Sequence, residues 1–225
     1  MANANKINGF SPVGTLNGSP YSGQARMYAV PTTDTTASYA IGDIIMSAGG
    51  SDANGVPYVK KIPAASASSF VALGVVVGVR VADASVSLVG TTLSLEQTYI
   101  PSGTRTNDRY VMIADDPNLV FEASAGTTAT NITLAKMRYN SGIASNFTGA
   151  DQTYAISQNT YLSPSSPYSN VVLSSATVNT TNTLPVQMLG LVQRPGNEIG
   201  AYARILCRFN SHEFSQATGT NFTGL

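Results

Sequence analysis

"RYVMIADDPNLVFEA", residues 109–123, decides the fold: it reads as a strand, a bend and a second strand. Tyr110, Val111 and Ile113 before the bend, and Val120 and Phe121 after it, are side chains that fit a pleated, half-buried surface. Between them Pro117 is pre-set for the second position of a type I turn, with Asp and Asn suited to its flanks. Asp115 and Asp116 are the only adjacent acids in the chain, and so the first candidates for a catalytic pair. Glycosidases hold two acids across a substrate, whereas consecutive side chains diverge, and no second acid is evident. The pair reads as the bend.

Strand signals of this kind recur at short spacing between Gly, Pro, Asn and Asp, the pattern of an all-β sandwich or barrel. Side chains alternate along a strand. In "VALGVVVGVR" (71–80), Val71, Leu73, Val75, Val77 and Val79 therefore form one bulky face. Ala72, Gly74, Val76 and Gly78 form the other, which predicts a central strand with a close neighbour over its glycines. In "AYARILCRF" (201–209), Ala203, Ile205, Cys207 and Phe209 point one way. Tyr202, Arg204, Leu206 and Arg208 point the other, toward solvent or a partner chain. "MLGLVQ" (188–193) is a further buried strand. "SDANGVP" (51–57) turns at Asn54-Gly55, "RPGNEIG" (194–200) at Pro195-Gly196, and "SPSSPYS" (163–169) reads as a surface loop. The best helix candidate is "NITLAKMRYN" (131–140).

With 225 residues the chain is long enough for a substantial core without disulfides. Charged residues are only 11%, and twelve basic residues balance twelve acidic ones. Nowhere is positive charge more concentrated than at Lys60–Lys61. Nucleic-acid binding needs a concentrated basic surface, so it is not expected. "MANANKINGF" (1–10) lacks the apolar stretch of a secretory signal, and no run approaches the roughly 20 apolar residues of a membrane helix. These features predict synthesis in a cytoplasm and no membrane association.

The search for chemistry finds no catalytic residues, cofactor site or metal site. His212 is the only histidine and Cys207 the only cysteine, too few for zinc. Cys207 falls on the apolar face of its strand, where thiols pack inertly. His212, just past the strand end, is expected at the surface or an interface. "SDANG" (51–55) lacks the closing glutamate of a calcium loop. No phosphate-cradling loop or serine elbow occurs, and no small-molecule substrate is expected.

Residues 1–30 differ from the rest. Phe10, Val13, Leu16, Tyr21 and Tyr28 are spaced among Gly, Pro, Asn and Ser, a pattern that fits no regular element. The segment is expected to be an extended N-terminal arm lying on another surface, ahead of a β domain over 31–225. Within that domain, 124–185 reads either as a second β lobe or as an insertion. The fold expected is all-β, a jelly-roll or barrel-like body with its arm.

The opening "MANAN…GFSPVGTLNGSPYSGQARMY" resembles the start of a family of tailed-bacteriophage virion proteins. Further stretches match in order: "IGDIIMSAGGSDANGVPYV" (41–59), "LGVVVG" (73–78), "RYVMIADDPNLVFEA" (109–123) and "LGLVQRPGNEIGAYARILCRFNSHEF" (189–214). Residues 124–185 match least. The resemblance implies a structural protein, not an enzyme: a capsid decoration or cement subunit on the outer surface of the virion. It implies a homotrimer that clamps neighbouring major capsid proteins. Two other readings stand beside it. One is a tail-tube or tail-fibre component, for which "LGVV"/"LGLV" (73–76 and 189–192) is the only internal echo. The other is a displayed carbohydrate-binding module, which would have to use tyrosines because the chain has no Trp. The expected interaction residues are Phe10, Leu16, Tyr21 and Tyr28 in the arm, and Arg204 and Arg208 on the outer face of their strand.

Overall fold

The computed structural model describes residue 3 and residues 8–63, 69–80, 99–126, 131–147, 150–152 and 169–215. The loop expected at 163–169 lies outside them except for Ser169.

The chain is all-β. Numbered in chain order, β2 (Arg26–Val30), β4 (Ile44–Ser51), β5 (Pro57–Lys61), β6 (Gly74–Arg80) and β8 (Arg109–Ala114) close a barrel in the order β2-β5-β4-β6-β8. A seven-stranded sheet stands beside it. Its order is β1 (Ser11–Thr15), β9 (Leu119–Ser124), β14 (Arg204–Phe209), β13 (Val186–Leu191), β10 (Asn140–Phe147) and β11 (Ala150–Gln152). β12 (Val171–Asn179) also pairs with β10. A small ladder joins β3 (Tyr39–Ala40) to β7 (Tyr99–Ile100). The segment 124–185 thus supplies β10, β11 and β12 to the same sheet as β9 and β14.

The bend at 115–118 is what links the two bodies. β8 belongs to the barrel and β9 to the sheet, and the chain turns between them at Asp116–Leu119. The Leu119 N–H donates to the Asp116 carbonyl at 3.1 Å, with Pro117 in the second position as the sequence predicts. The Asp116 side chain accepts the Asn118 N–H at 2.8 Å.

Two cores follow from this division. Val30, Tyr39, Ile45, Val59, Val76 and Val111 fill the barrel. Ile44, Ile62, Val75 and Ala114 belong to the second core, with Phe121, Val186, Ile205 and Phe209 from the sheet. Where they meet the sheet, β4, β6 and β8 are therefore buried on both sides, and a strand in that position reads as a continuous apolar run.

That explains the first departure from the sequence pattern. Val75 and Val77 face the shared core while Val79 packs with the barrel interior, so "VALGVVVGVR" does not keep one bulky face. The register of β6 against β8 shifts between Val76 and Gly78, and a β-bulge of this kind exchanges the faces downstream. Val71 lies ahead of the strand and is 48% exposed. The close neighbour is real at Gly74, where an added Cβ would stand 2.3 Å from the Ala114 carbonyl oxygen.

The N-terminal segment is not an arm without regular structure. β1 pairs antiparallel with β9, and β2 is a barrel strand paired along its length with β8. Its glycines and Ser-Pro steps mark turns that fold the segment back on itself: Thr15 N–H donates to Ser19 O at 2.9 Å and Tyr21 N–H to Val13 O at 3.2 Å. Gly9 and Gly42, with φ of +65° and +92°, let two backbones meet where any side chain would collide. The Phe10 N–H then donates to Gly42 O at 3.0 Å, and the Phe10 ring enters the shared core.

The expected helix over 131–140 reduces to one 3-10 turn at Leu134–Lys136, with Asn140 already in β10. Ile132 is buried but Leu134 is 64% exposed, so the apolar residues do not share one helical face.

Candidate functional site

The four residues expected to act in the arm are separated by the structure. Phe10 is 1% exposed, stacked on Phe209 at 5.9 Å and edge-on to Phe121 at 6.3 Å. Tyr28 is buried as well, and neither offers a surface to a partner. Tyr21 is half-buried against the shared core and donates its hydroxyl to Gln24 O at 2.9 Å. Leu16 alone is open, at 44%. Its N–H donates to the Asn118 carbonyl at 2.9 Å, which holds it beside the bend.

The bend borders a cleft of about 570 Å³. Arg26, Asp115, Asp116, Pro117, Leu119 and Phe214 line it. The Asp115 Oδ2 accepts the Tyr28 hydroxyl at 2.7 Å and faces the Arg26 guanidinium at 3.4 Å. Burial, and then Asp115, push the Tyr28 phenol well above its usual range, so it stays a donor. Arg26 is 70% exposed and lies 5.7 Å above the Phe214 ring, within range of a cation–π contact. Asp115 is thus tied to its own barrel, and Asp116 to its own turn. The side chains that this side leaves exposed are Arg26 and Phe214, with Leu16 beside the bend.

His212 is not at the surface. It is 4% exposed, between Phe209 and Phe214, and its Nδ1 accepts the Phe214 N–H at 3.1 Å. A parallel bridge to Ala72 draws it inward, a tertiary contact with no local signal. Burial pulls its pKa down to about 4, against the opposing pull of Asp115, Asp116 and the Leu73 backbone. It is neutral at neutral pH.

A second cleft, of about 460 Å³, opens where Glu122, Arg194, Asn197 and Arg204 meet. Arg204 was expected to face outward but is buried, with Nε 3.7 Å from Glu122. Arg194 reaches the same Glu122 oxygen at 2.9 Å. Asn197 binds both the N–H and the carbonyl of Arg204, at 2.8 and 2.9 Å. The turn at 194–197 and Glu122 together enclose Arg204 at the start of β14. Arg208 lies further along that face, half-buried, its Nε donating to Gln187 at 2.9 Å. Asn3 pins the adjoining loop through the carbonyls of Glu198 and Ala201, at 2.7 and 2.8 Å.

Among the described residues, Tyr–Asp hydrogen bonds recur around the barrel: Tyr28–Asp115, Tyr39–Asp34, Tyr58–Asp108 and Tyr110–Asp52. A buried phenol must find a partner for its hydroxyl, and Asp34, Asp52 and Asp108 also take backbone N–H groups. Asp52 does so at the tip of the β4–β5 hairpin, accepting from Asn54 and Val56 at 2.9 and 2.8 Å. Much of the chain's acid is therefore structural. Among the described residues no three His, Cys, Asp or Glu side chains group as metal ligands. No helix among them is long and apolar enough to cross a membrane.

Comparison with protein-family models, with curated proteins and with solved structures gives no match.

Proposed function

We propose that this chain is a structural subunit of a tailed-bacteriophage virion, a decoration or cement protein that binds the outside of the head and stabilises contacts between major capsid proteins. The reading starts from the sequence resemblance, and one structural observation supports it above others. The stretches that carry the resemblance form β1 and the start of β2, then β4 and most of β5, then most of β6, then β8 and β9, then the end of β13 and β14. They build the barrel, the centre of the sheet and the joint between them, and they line the cleft beside the bend. What the family-like residues specify is a rigid body.

Such a body stabilises a shell by mass action, because it binds the assembled lattice and not its separated parts. Symmetric repetition multiplies modest contacts into avidity. The contact face we assign lies beside the bend, where Leu16 and Phe214, 44% and 45% exposed, stand with Arg26. Aromatic residues and arginine are the side chains that most often anchor interfaces. A trimer would place three such faces around a local threefold point of the shell.

The test is to add the purified chain to heads lacking it and to follow bound protein and heat resistance. Binding that raises the temperature of head rupture, and that Leu16→Asp with Phe214→Asp removes without lowering the chain's own Tm, supports the reading. Absence of binding, or a labelled chain found only on tails of intact particles, refutes it. Light scattering of the free chain reads the trimer directly.

A further inference from the structure

Lys61 closes β5 and Asp43 stands one residue ahead of β4, and the two meet in the wall of the barrel. The Lys61 Nζ lies 2.9 Å from the Asp43 Oδ2, and both side chains are fully buried. The same Nζ is 3.4 Å from the Ser38 carbonyl, and the same Oδ2 accepts the Ala40 N–H at 2.9 Å. The Lys61 N–H donates to the Tyr39 hydroxyl at 3.3 Å. Ile45, opposite Lys61 in the ladder, and Val59, two residues earlier on its strand, are buried as well. The amine and the carboxyl are therefore fixed in contact, out of water and among apolar neighbours.

Two charges in such a place carry a desolvation cost that their attraction offsets only in part. Moving one proton from the ammonium to the carboxylate removes both charges and leaves an amine against a carboxylic acid. Burial drives Lys61 in that direction, pulling its pKa down against Asp43 and Asp34. An amine and a carboxylic acid held in contact no longer need a bimolecular encounter, the largest entropic part of the barrier to joining them.

We propose that Lys61 and Asp43 form an intramolecular amide bond, made by the folded chain on itself. The Nζ lone pair attacks Asp43 Cγ, and a nitrogen–carbon bond forms. The carbon–oxygen bond to the hydroxyl breaks, and that oxygen leaves as water with the proton received from the ammonium and one more from the attacking nitrogen. Nothing is oxidised or reduced, and no co-reactant is consumed. The bond ties the start of β4 to the end of β5, so the hairpin between them becomes a covalent ring. In a subunit whose task is to hold a shell together, this locks the barrel against being pulled open. The chemistry itself depends only on the barrel and not on the capsid reading.

The experiment is a tryptic digest of the denatured full-length chain, read by mass spectrometry. The bond blocks cleavage after Lys61 and yields a branched peptide joining residues 27–60 to 61–80, lighter than the sum of the two by one water. Asp43→Asn gives a branched peptide of the same mass, because ammonia then leaves in place of water. Lys61→Arg gives none. Recovery of an unbranched 62–80 peptide from the parent chain as the sole product would show an ion pair only and overturn the proposal. So would a branched peptide that survives Lys61→Arg. The parent digest decides the matter even where a variant fails to fold, and it leaves the question of capsid binding untouched.

Discussion

Phe10→Ala separates a segment that belongs to its own body from an arm that serves a neighbour. The ring is 1% exposed and meets Phe209 at 5.9 Å and Phe121 at 6.3 Å. Truncating a ring so buried costs about 3–5 kcal/mol, through lost transfer free energy and the cavity left behind. In a chain of this size, about 1 kcal/mol moves Tm by roughly 2–4 °C, so the melting point should fall by about 6–20 °C. Leu16→Ala is the matched control: its side chain is 44% exposed, and the expected change is within about 0.5 kcal/mol. Thermal unfolding of the free chain by circular dichroism, with a urea titration alongside, reads both. If Phe10→Ala melts within about 2 °C of the parent, the ring is not part of the folded core and the reasoning fails.

Three further outcomes follow from buried groups. His212 is neutral in the folded chain with a pKa near 4 but titrates near 6.5 when unfolded, so the unfolded state binds more protons between those values. Stability is therefore full above about pH 6.5 and declines as pH falls toward 4, by up to about 3 kcal/mol at this site. The difference in urea stability between the parent and His212→Gln should change across that window, and parallel profiles would contradict it. Gly74→Ala drives a methyl group into the Ala114 carbonyl with no flexible side chain to yield, and should cost at least the roughly 1–3 kcal/mol of ordinary overpacking; a variant as stable as the parent would refute the packing described. Cys207 is fully buried and its thiol is pushed far above the usual range by burial and then by Glu122. It should resist a thiol reagent until the chain is denatured, and rapid native-state labelling would count against its place in the core.

The strands were legible where one stretch of chain carried its own evidence. "RYVMIADDPNLVFEA" holds two apolar runs and a proline pre-set for the turn, and it folds as read. "AYARILCRF" gave the buried face of β14 correctly, since alternation depends only on the pleat. On its other face Arg204 was misjudged, because the turn that encloses it lies up to ten residues away and acts through Asn197 and through Arg194 on the shared Glu122. "SPVGT" and "RMYAV" become strands through partners some 80 to 110 residues distant, and strand formation answers to such context more than to local preference. The bulge in β6 did have a signal, since an isolated glycine inside a strand pattern marks one. Lys61 had a signal too: it shares a strand face with Val59, and alternation alone points it inward. His212 had none, because a bridge to Ala72 decides its burial.

The order of strands in the sheet has a consequence during synthesis. Every strand of the barrel comes from residues 26–114, so the barrel can close soon after that length has left the ribosome. The sheet cannot, because β14 lies between β9 and β13 and is the last strand of the described chain to be made. Until Phe209 emerges, β9 keeps an open edge and Phe10 lacks the ring it stacks on. Open strand edges and uncovered apolar faces are where nascent chains aggregate or pair wrongly. The finished barrel thus waits on a strand made much later, and its seam with the sheet seals only once β14 has emerged.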